Sequence, residues 1–211
     1  MSCADRRLLP LSILVAGCNL HPSNNDGGAI NVATDGAVVF VARGTSGVDV
    51  IDPASGASLG RLEPSGDSDS YDDVAIADGL LFVLDADDGR VTSFRLVAGS
   101  APEPGGTADL EVPVGPYSGI AAAGGRLVVS GGICEITLLS YDAGGVLTRQ
   151  GAATGHRGHP DVTMTDDGSI ALVSTHFSDD VDGHEFGLVS AVLTSRSEEH
   201  TSELQSLTNL V

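Results

Sequence analysis

Val74-Ala-Ile-Ala-Asp-Gly-Leu-Leu-Phe-Val83 is the stretch that decides the fold of this chain. Two apolar runs flank an Asp-Gly pair. This is the pattern of a strand, a tight turn and a returning strand, because Asp and Gly accept the left-handed backbone that such turns require. The pattern recurs as Ile30-Asn-Val-Ala-Thr-Asp-Gly-Ala-Val-Val-Phe-Val41, Ile120-Ala-Ala-Ala-Gly-Gly-Arg-Leu-Val-Val129 and Val162-Thr-Met-Thr-Asp-Asp-Gly-Ser-Ile-Ala-Leu-Val173. The turn glycines Gly36, Gly79, Gly125 and Gly168 stand 43, 46 and 43 residues apart. One sheet of this size cannot bury both faces alone, so repeats of this length stack as blades around an axis. The expectation is an all-β chain, a β-propeller with four visible blades at about 29–70, 71–115, 116–158 and 159–195.

The rest of each repeat fits a blade. A third strand is predicted at Val48–Asp52, Arg90–Leu96, Ile136–Tyr141 and Phe186–Val192, and a fourth at Leu59–Leu62, Leu110–Val112 and Val146–Arg149. The inner runs are small and apolar, and the outer ones alternate polar with apolar in the half-buried pattern. No segment carries a helical period.

Val50-Ile-Asp-Pro-Ala-Ser-Gly56 after a strand, and His159-Pro-Asp-Val-Thr-Met-Thr-Asp-Asp-Gly168 before the next, resemble the repeats of secreted bacterial propellers of the YVTN and lactonase-like superfamily. The resemblance covers residues 28 to 195 and is one of repeat style, so it implies fold far more than activity. Members of that superfamily include cell-surface binding proteins, lactone hydrolases and quinoprotein-like enzymes. WD-type repeats are not expected in a chain without tryptophan.

Arg6 and Arg7 precede an apolar stretch from Leu8 to Gly17, which is the form of a secretory signal and too short to span a membrane. It ends in Leu14-Val15-Ala16-Gly17-Cys18, which resembles the lipobox of bacterial lipoproteins; an ordinary secretion signal that contains a cysteine is the alternative. The resemblance implies a signal over 1–17, lipidation at Cys18 and a polar tether over 18–28, placing the domain in the bacterial cell envelope, periplasmic or at the cell surface. Arg196-Ser-Glu-Glu-His-Thr-Ser-Glu-Leu-Gln-Ser-Leu-Thr-Asn-Leu-Val211 shares no pattern with the blades and resembles a translated sequencing adapter; a short amphipathic helix over Glu198–Leu210 is the alternative reading. Residues 196–211 are therefore expected to be a non-native tail. The fourth blade is expected to be incomplete, in a fragment of a six- to eight-bladed ring.

The formal charge is −19 and there is no lysine. A field of that sign argues against nucleic acid and anionic lipid as partners, since both require phosphate charge to be neutralised. It suits solubility outside the cell and cations as ligands, and it equally fits GC-rich codon usage or a saline habitat. Of the three cysteines, Cys3 lies in the signal and Cys18 at the lipobox. Cys134 is left to be a small buried apolar residue or to pair outside this sequence.

Propeller ligands sit where the loops entering the innermost strands converge. Those entries carry Tyr71, Asp72 and Asp73, then Pro116, Tyr117 and Ser118, then His156, His159 and Asp161. Tyr71, Asp72, Tyr117 and His156 are candidate ligand-binding residues for a cation or a small polar molecule; the competing roles are turn caps for the aspartates and inter-blade packing for the tyrosines. Were the chain a lactone hydrolase, Asp73, His159 and Asp161 would be its acid and base candidates. The densest polar run is His176-Phe-Ser-Asp-Asp-Val-Asp-Gly-His-Glu185, expected as a loop, with Asp179, Asp180 and Asp182 as calcium candidates. Set against a twelve-residue calcium loop, it has Ser178 first and Val189 last, where acids belong. His176 and His184 lack the spacing of a zinc site. No nucleophile elbow, H-E-x-x-H, phosphate loop or dinucleotide fingerprint occurs. The sequence is thus read as a membrane-anchored, extracytoplasmic propeller lipoprotein that binds a partner protein or a small extracellular ligand. Its alternative is a propeller enzyme of lactonase-like or quinoprotein-like type.

Overall fold

The computed structural model describes residues 30–64, 69–111, 118–131, 135–154, 161–179, 184–193 and 206–207. They form four antiparallel sheets of four strands, each sheet a meander in chain order. The first is β1 (Asn31–Thr34), β2 (Val39–Ala42), β3 (Val48–Ile51) and β4 (Ser58–Leu62); the second is β5 (Asp73–Ala77), β6 (Leu80–Asp85), β7 (Arg90–Arg95) and β8 (Glu103–Asp109). The third is β9 (Gly119–Ala123), β10 (Arg126–Ser130), β11 (Glu135–Tyr141) and β12 (Leu147–Thr154). The fourth is β13 (Asp161–Met164), β14 (Ile170–Asp179), β15 (His184–Leu193) and β16 (Ser206–Leu207).

The four turn glycines all take positive φ, between 67° and 89°. In the second sheet Asp78 (φ 53°) and Gly79 (φ 75°) form a two-residue turn between paired Ala77 and Leu80. Two successive positive φ values match the twist of the flanking strands, which is why this sequence closes a hairpin there.

Cores lie between sheets, one per junction. Phe40, Ala42, Val48 and Val50 of the first sheet pack on Val74, Leu81, Val83 and Phe94 of the second. Leu80, Phe82, Leu84 and Val91 use the opposite face of the second sheet to meet Ile120, Leu127, Val129 and Leu139 of the third. Val128 and Ile136 then turn to Val162, Ala171 and Val173 of the fourth. β6 is buried along its whole length because it is covered on both sides. The first strand of each sheet touches the first strand of the next, so β1, β5, β9 and β13 stand around the axis.

Three expectations change. The fourth strand of the second sheet is Glu103–Asp109, not Leu110–Val112; Leu110 instead follows the strand as a fully buried residue. That strand has poor propensity on paper, with Pro104, Gly105 and Gly106, but glycine is what its packing requires. A Cβ on Gly106 would stand 2.9 Å from the Gly145 carbonyl oxygen, in the next sheet. Second, most of the expected loop over 176–185 is ladder: His176 pairs with Gly187, Phe177 with Phe186, Ser178 with Glu185 and Asp179 with His184. Third, the fourth sheet has a fourth strand, short and drawn from the tail: Ser206 pairs with Val192 and Leu207 with Ala191. Residues 206–207 are extended.

Candidate functional site

The starts of β1, β5, β9 and β13 bring Asn31, Asp73, Gly119 and Asp161 together around the axis. Three of these four positions repeat one local geometry. Asn31 Oδ1 accepts the Val32 N–H at 2.7 Å, Asp73 Oδ1 the Val74 N–H at 2.7 Å and Asp161 Oδ1 the Val162 N–H at 2.9 Å. Each side chain thereby accepts the N–H of the second residue of its own strand. Gly119 has no side chain to do this. The Ile120 N–H instead reaches back one blade to Asp73 Oδ2, at 2.9 Å. The absence of a side chain at 119 also lets the fourth blade close up, since a Cβ there would lie 3.3 Å from the Val162 nitrogen.

Asp73 thus joins three blades. Asn31 Nδ2 donates to its Oδ1 from the first, Val74 from its own strand and Ile120 from the third. The carboxyl is 4% exposed. Burial pushes its pKa up to about 7, aided by the charge of Asp161, and the donors from Val74, Ile120 and Asn31 oppose that rise without cancelling it. Asp161 is exposed.

Beside Asp73, the second blade gathers acids. Asp72 Oδ2 accepts from Ser70 Oγ at 2.7 Å and from the Ala86 N–H at 2.9 Å. Buried Asp85 accepts the Asp88 N–H at 3.1 Å and the Asp69 N–H at 3.2 Å. Burial raises the pKa of Asp72, as do the charges of Asp87 and Asp85. The Asp88 carboxyl is raised chiefly by Asp85. Asp72 through Oδ2 and Asp85 through both oxygens cap turns, with backbone amides and Ser70 as the donors. Among the described residues, no three His, Cys, Asp or Glu side chains come together in a group that could hold a metal ion.

Tyr71 stands elsewhere than at the mouth. Its ring is 1% exposed in the core between the first and second sheets, edge-on to Phe94 with centroids 6.5 Å apart. Its backbone pairs with Gly44, whose N–H donates to the Tyr71 carbonyl at 2.9 Å and whose carbonyl accepts the Tyr71 N–H at 3.0 Å. The tyrosine packs between blades, as its competing role had it. Cys18, Tyr117, Cys134, His156, His159, Asp180 and Asp182 lie outside the described residues, and Asp179 is described only as the backbone partner of His184. Of the enzyme candidates, Asp73 and Asp161 therefore meet at one end of the axis. Sequence reasoning missed Asn31 and the Ile120 amide; the shared position of Asn31, Asp73 and Asp161 before a Val in each repeat is the signal that finds the first.

No protein-family model matches the chain, and no curated protein matches it. Solved structures do. A protein from Lactobacillus plantarum is similar with a TM-score of 0.59 at 17% identity, over 83% of this chain and 56% of that one. A candidate 6-phosphogluconolactonase from Bacteroides uniformis is similar with a TM-score of 0.58 at 14% identity, over 84% of this chain and 56% of its own. The Cps50 (Swd1) β-propeller domain from Myceliophteria thermophila is similar with a TM-score of 0.57 at 9% identity, over 80% of this chain and 57% of that domain. The fold is a β-propeller. The chain spans a little over half the length of each of these three structures, and at these identities the likeness concerns fold alone.

Proposed function

We propose that this chain is a lipid-anchored propeller module of the bacterial cell envelope that binds, without transforming it, a small extracellular ligand at the end of the axis where the innermost strands begin. Cys18 would carry the anchor, by its resemblance to a lipobox cysteine. The observation that carries the binding reading is the division of labour between Asp73 and Asp161. Asp73 is buried with both oxygens committed to holding three strands in place, whereas Asp161 is exposed at the same end and commits one oxygen to its own strand. A ligand that donates hydrogen bonds or carries positive charge suits such an acceptor in a chain of net charge −19.

One observation favours the enzyme reading. A carboxyl poised near neutrality at a channel end is what a general acid or base needs, and one of the similar structures is a candidate lactonase. Against it, proton transfer requires an oxygen free to face substrate, and Asp73 Oδ1 and Oδ2 already accept three N–H groups.

The two readings separate in one experiment on the full chain. Thermal shift against a panel of small amines and polyols is expected to find stabilising ligands whose effect is lost in Asp161→Ala. Hydrolysis of simple lactones is expected to stay at the level of buffer. Lactone turnover abolished by Asp73→Asn in a folded protein would overturn the binding reading.

A further inference from the structure

An aspartate followed by glycine is the step of a chain most open to spontaneous isomerisation, because glycine puts no side chain in the way of its own amide nitrogen. That nitrogen attacks the aspartate Cγ: the N–Cγ bond forms, the C–OH bond breaks, and the hydroxyl and the amide hydrogen leave as water. Water then opens the five-membered succinimide at either carbonyl. One opening restores aspartate, and the other leaves isoaspartate, with the main chain routed through the former side chain. The protonated carboxyl is the form that reacts, since a hydroxyl can leave and the oxygen of a carboxylate cannot. Among the described residues the step occurs at Asp35-Gly36, Asp78-Gly79, Asp88-Gly89 and Asp167-Gly168, each between paired strands of one sheet.

Three of these carboxyls are held. Asp35 Oδ1 accepts the Ala37 and Val38 N–H groups, both at 2.9 Å. Asp78 Oδ2 accepts the Tyr141 hydroxyl at 2.7 Å and the Gly125 N–H at 3.3 Å. Asp167 Oδ1 accepts the Thr165 hydroxyl at 2.6 Å and the Ser169 N–H and hydroxyl at 3.0 and 2.8 Å, and these donors hold its pKa down to about 2. Such bonds must break before Cγ can turn toward the next nitrogen, and they favour the unreactive carboxylate. Asp88 differs on both counts. Its carboxyl is exposed and accepts no hydrogen bond among the described residues. The charge of Asp85 raises its pKa, with smaller contributions from partial desolvation, Asp69 and Asp87; Arg90 opposes them while bonded to Asp109 at 2.8 Å.

We propose that Asp88-Gly89, in the turn between β6 and β7, is the site among these four at which the folded chain modifies itself to isoaspartate. The change bears on the second blade. The Asp88 N–H donates to buried Asp85 Oδ1 at 3.1 Å, and the Gly89 carbonyl accepts the N–H of fully buried Leu110 at 2.7 Å. Isoaspartate adds one methylene to the main chain between these two anchors, so the turn is pulled away from its partners.

Peptide mapping of the full chain incubated in heavy-oxygen water tests this. Each ring opening leaves one solvent oxygen in the peptide, and chromatography separates isoaspartyl from aspartyl forms. At about pH 5, label is expected to enter at Asp88 at least about tenfold faster than at Asp35, Asp78 or Asp167, the factor that one hydrogen bond to a charged group is worth. The rate at Asp88 is expected to fall toward about pH 8 as the carboxyl ionises. Burial of Asp73 makes the fold more stable at the lower pH, so reaction through unfolding would show the opposite trend. In urea the four rates are expected to converge, because the unfolded chain holds none of the carboxyls. Asp88→Glu, whose ring would need six members, is expected to remove the label from that peptide while the circular dichroism stays that of the folded chain. Equal labelling of the four steps in the folded chain, or a lead for Asp88 that persists undiminished in urea, overturns the proposal.

Discussion

The Ile120 N–H donates to Asp73 Oδ2 at 2.9 Å across 47 positions of sequence. It is the shortest description of how this chain holds together: a side chain from one blade completes the backbone of the next. Where Asp73 sits, burial has raised its pKa to about 7 from the 3.8 of an ordinary aspartate. The native state therefore keeps a proton that the unfolded chain releases above about pH 4. Stability from this group is fully present below that pH and is lost as pH rises through about 7, by up to about 4 kcal/mol at 1.4 kcal/mol per pH unit. Denaturant midpoints taken from pH 5 to pH 8 are expected to fall, with Asp72 contributing in the same direction. In Asp73→Asn that slope is expected to flatten, and an unchanged slope would assign the pH dependence to other groups.

Tyr141 ties the second and third blades at the opposite end of the axis. Its hydroxyl donates to Asp78 Oδ2 at 2.7 Å, and its ring packs on Phe82 with centroids 4.6 Å apart. Burial and the Asp78 carboxylate raise the phenol above its usual range, so it stays a donor at any physiological pH. Tyr141→Phe keeps the packing and removes the bond, at a cost of about 1–2 kcal/mol. Asp78→Ala and the double variant complete a cycle by urea unfolding. Additive losses would mean the two groups do not act on each other.

Gly124 and Gly168 face each other where the third and fourth blades meet. A Cβ on Gly124 would stand 2.3 Å from the Asp167 carbonyl oxygen, and one on Gly168 would stand 2.2 Å from that of Ala123. Gly36 has a similar left-handed backbone but open space around it. Gly36→Ala is expected to cost about 1 kcal/mol, the conformational penalty alone. Gly124→Ala or Gly168→Ala should cost more than about 2 kcal/mol, because backbone must move. Equal melting temperatures for the three variants would show that the seam yields.

Ser93 is fully buried, donating from Oγ to the Gly145 carbonyl at 2.6 Å and accepting the Gly106 N–H at 2.8 Å. Ser93→Ala orphans both partners and is expected to lower stability by about 2 kcal/mol. Ser93→Thr keeps the hydroxyl but adds a methyl beside Gly105 and Gly145, which crowd Ser93 so closely that a Cβ on either would stand 2.5 or 2.7 Å from its Oγ. It is expected to be no better than alanine, read by the same unfolding curves.

The hairpins were legible because their signal is local. Asp78-Gly79 must turn, and Leu80–Val83 must be buried, whatever surrounds them. The seams between blades were not legible, because they pair residues a full repeat apart and leave no period of their own. Gly105 and Gly106 look like strand breakers until Gly144 and Gly145 are seen against them. The tip of the last hairpin failed for the opposite reason: Ser178, Asp179, His184 and Glu185 are polar enough to read as loop, yet a β-ladder constrains backbone and tolerates polar side chains. Of the candidate residues, Asp73 and Asp161 stand at the starts of innermost strands, a placement that their position in each repeat implies. Tyr71 was misplaced because Ser70-Tyr71-Asp72 does not say on which side of a sheet edge its ring will fall.

Asp73 also bears on the order in which the chain folds. Arrays of repeats usually gain stability one neighbour at a time, so that any pair can nucleate the rest. A carboxylate that draws its donors from both flanking blades breaks that independence. Asp73 has its full set of donors only when the first blade has delivered Asn31 and the third has delivered Ile120. The minimal cooperative unit is thus three blades long, and an autonomous fragment cut from this chain would need all three.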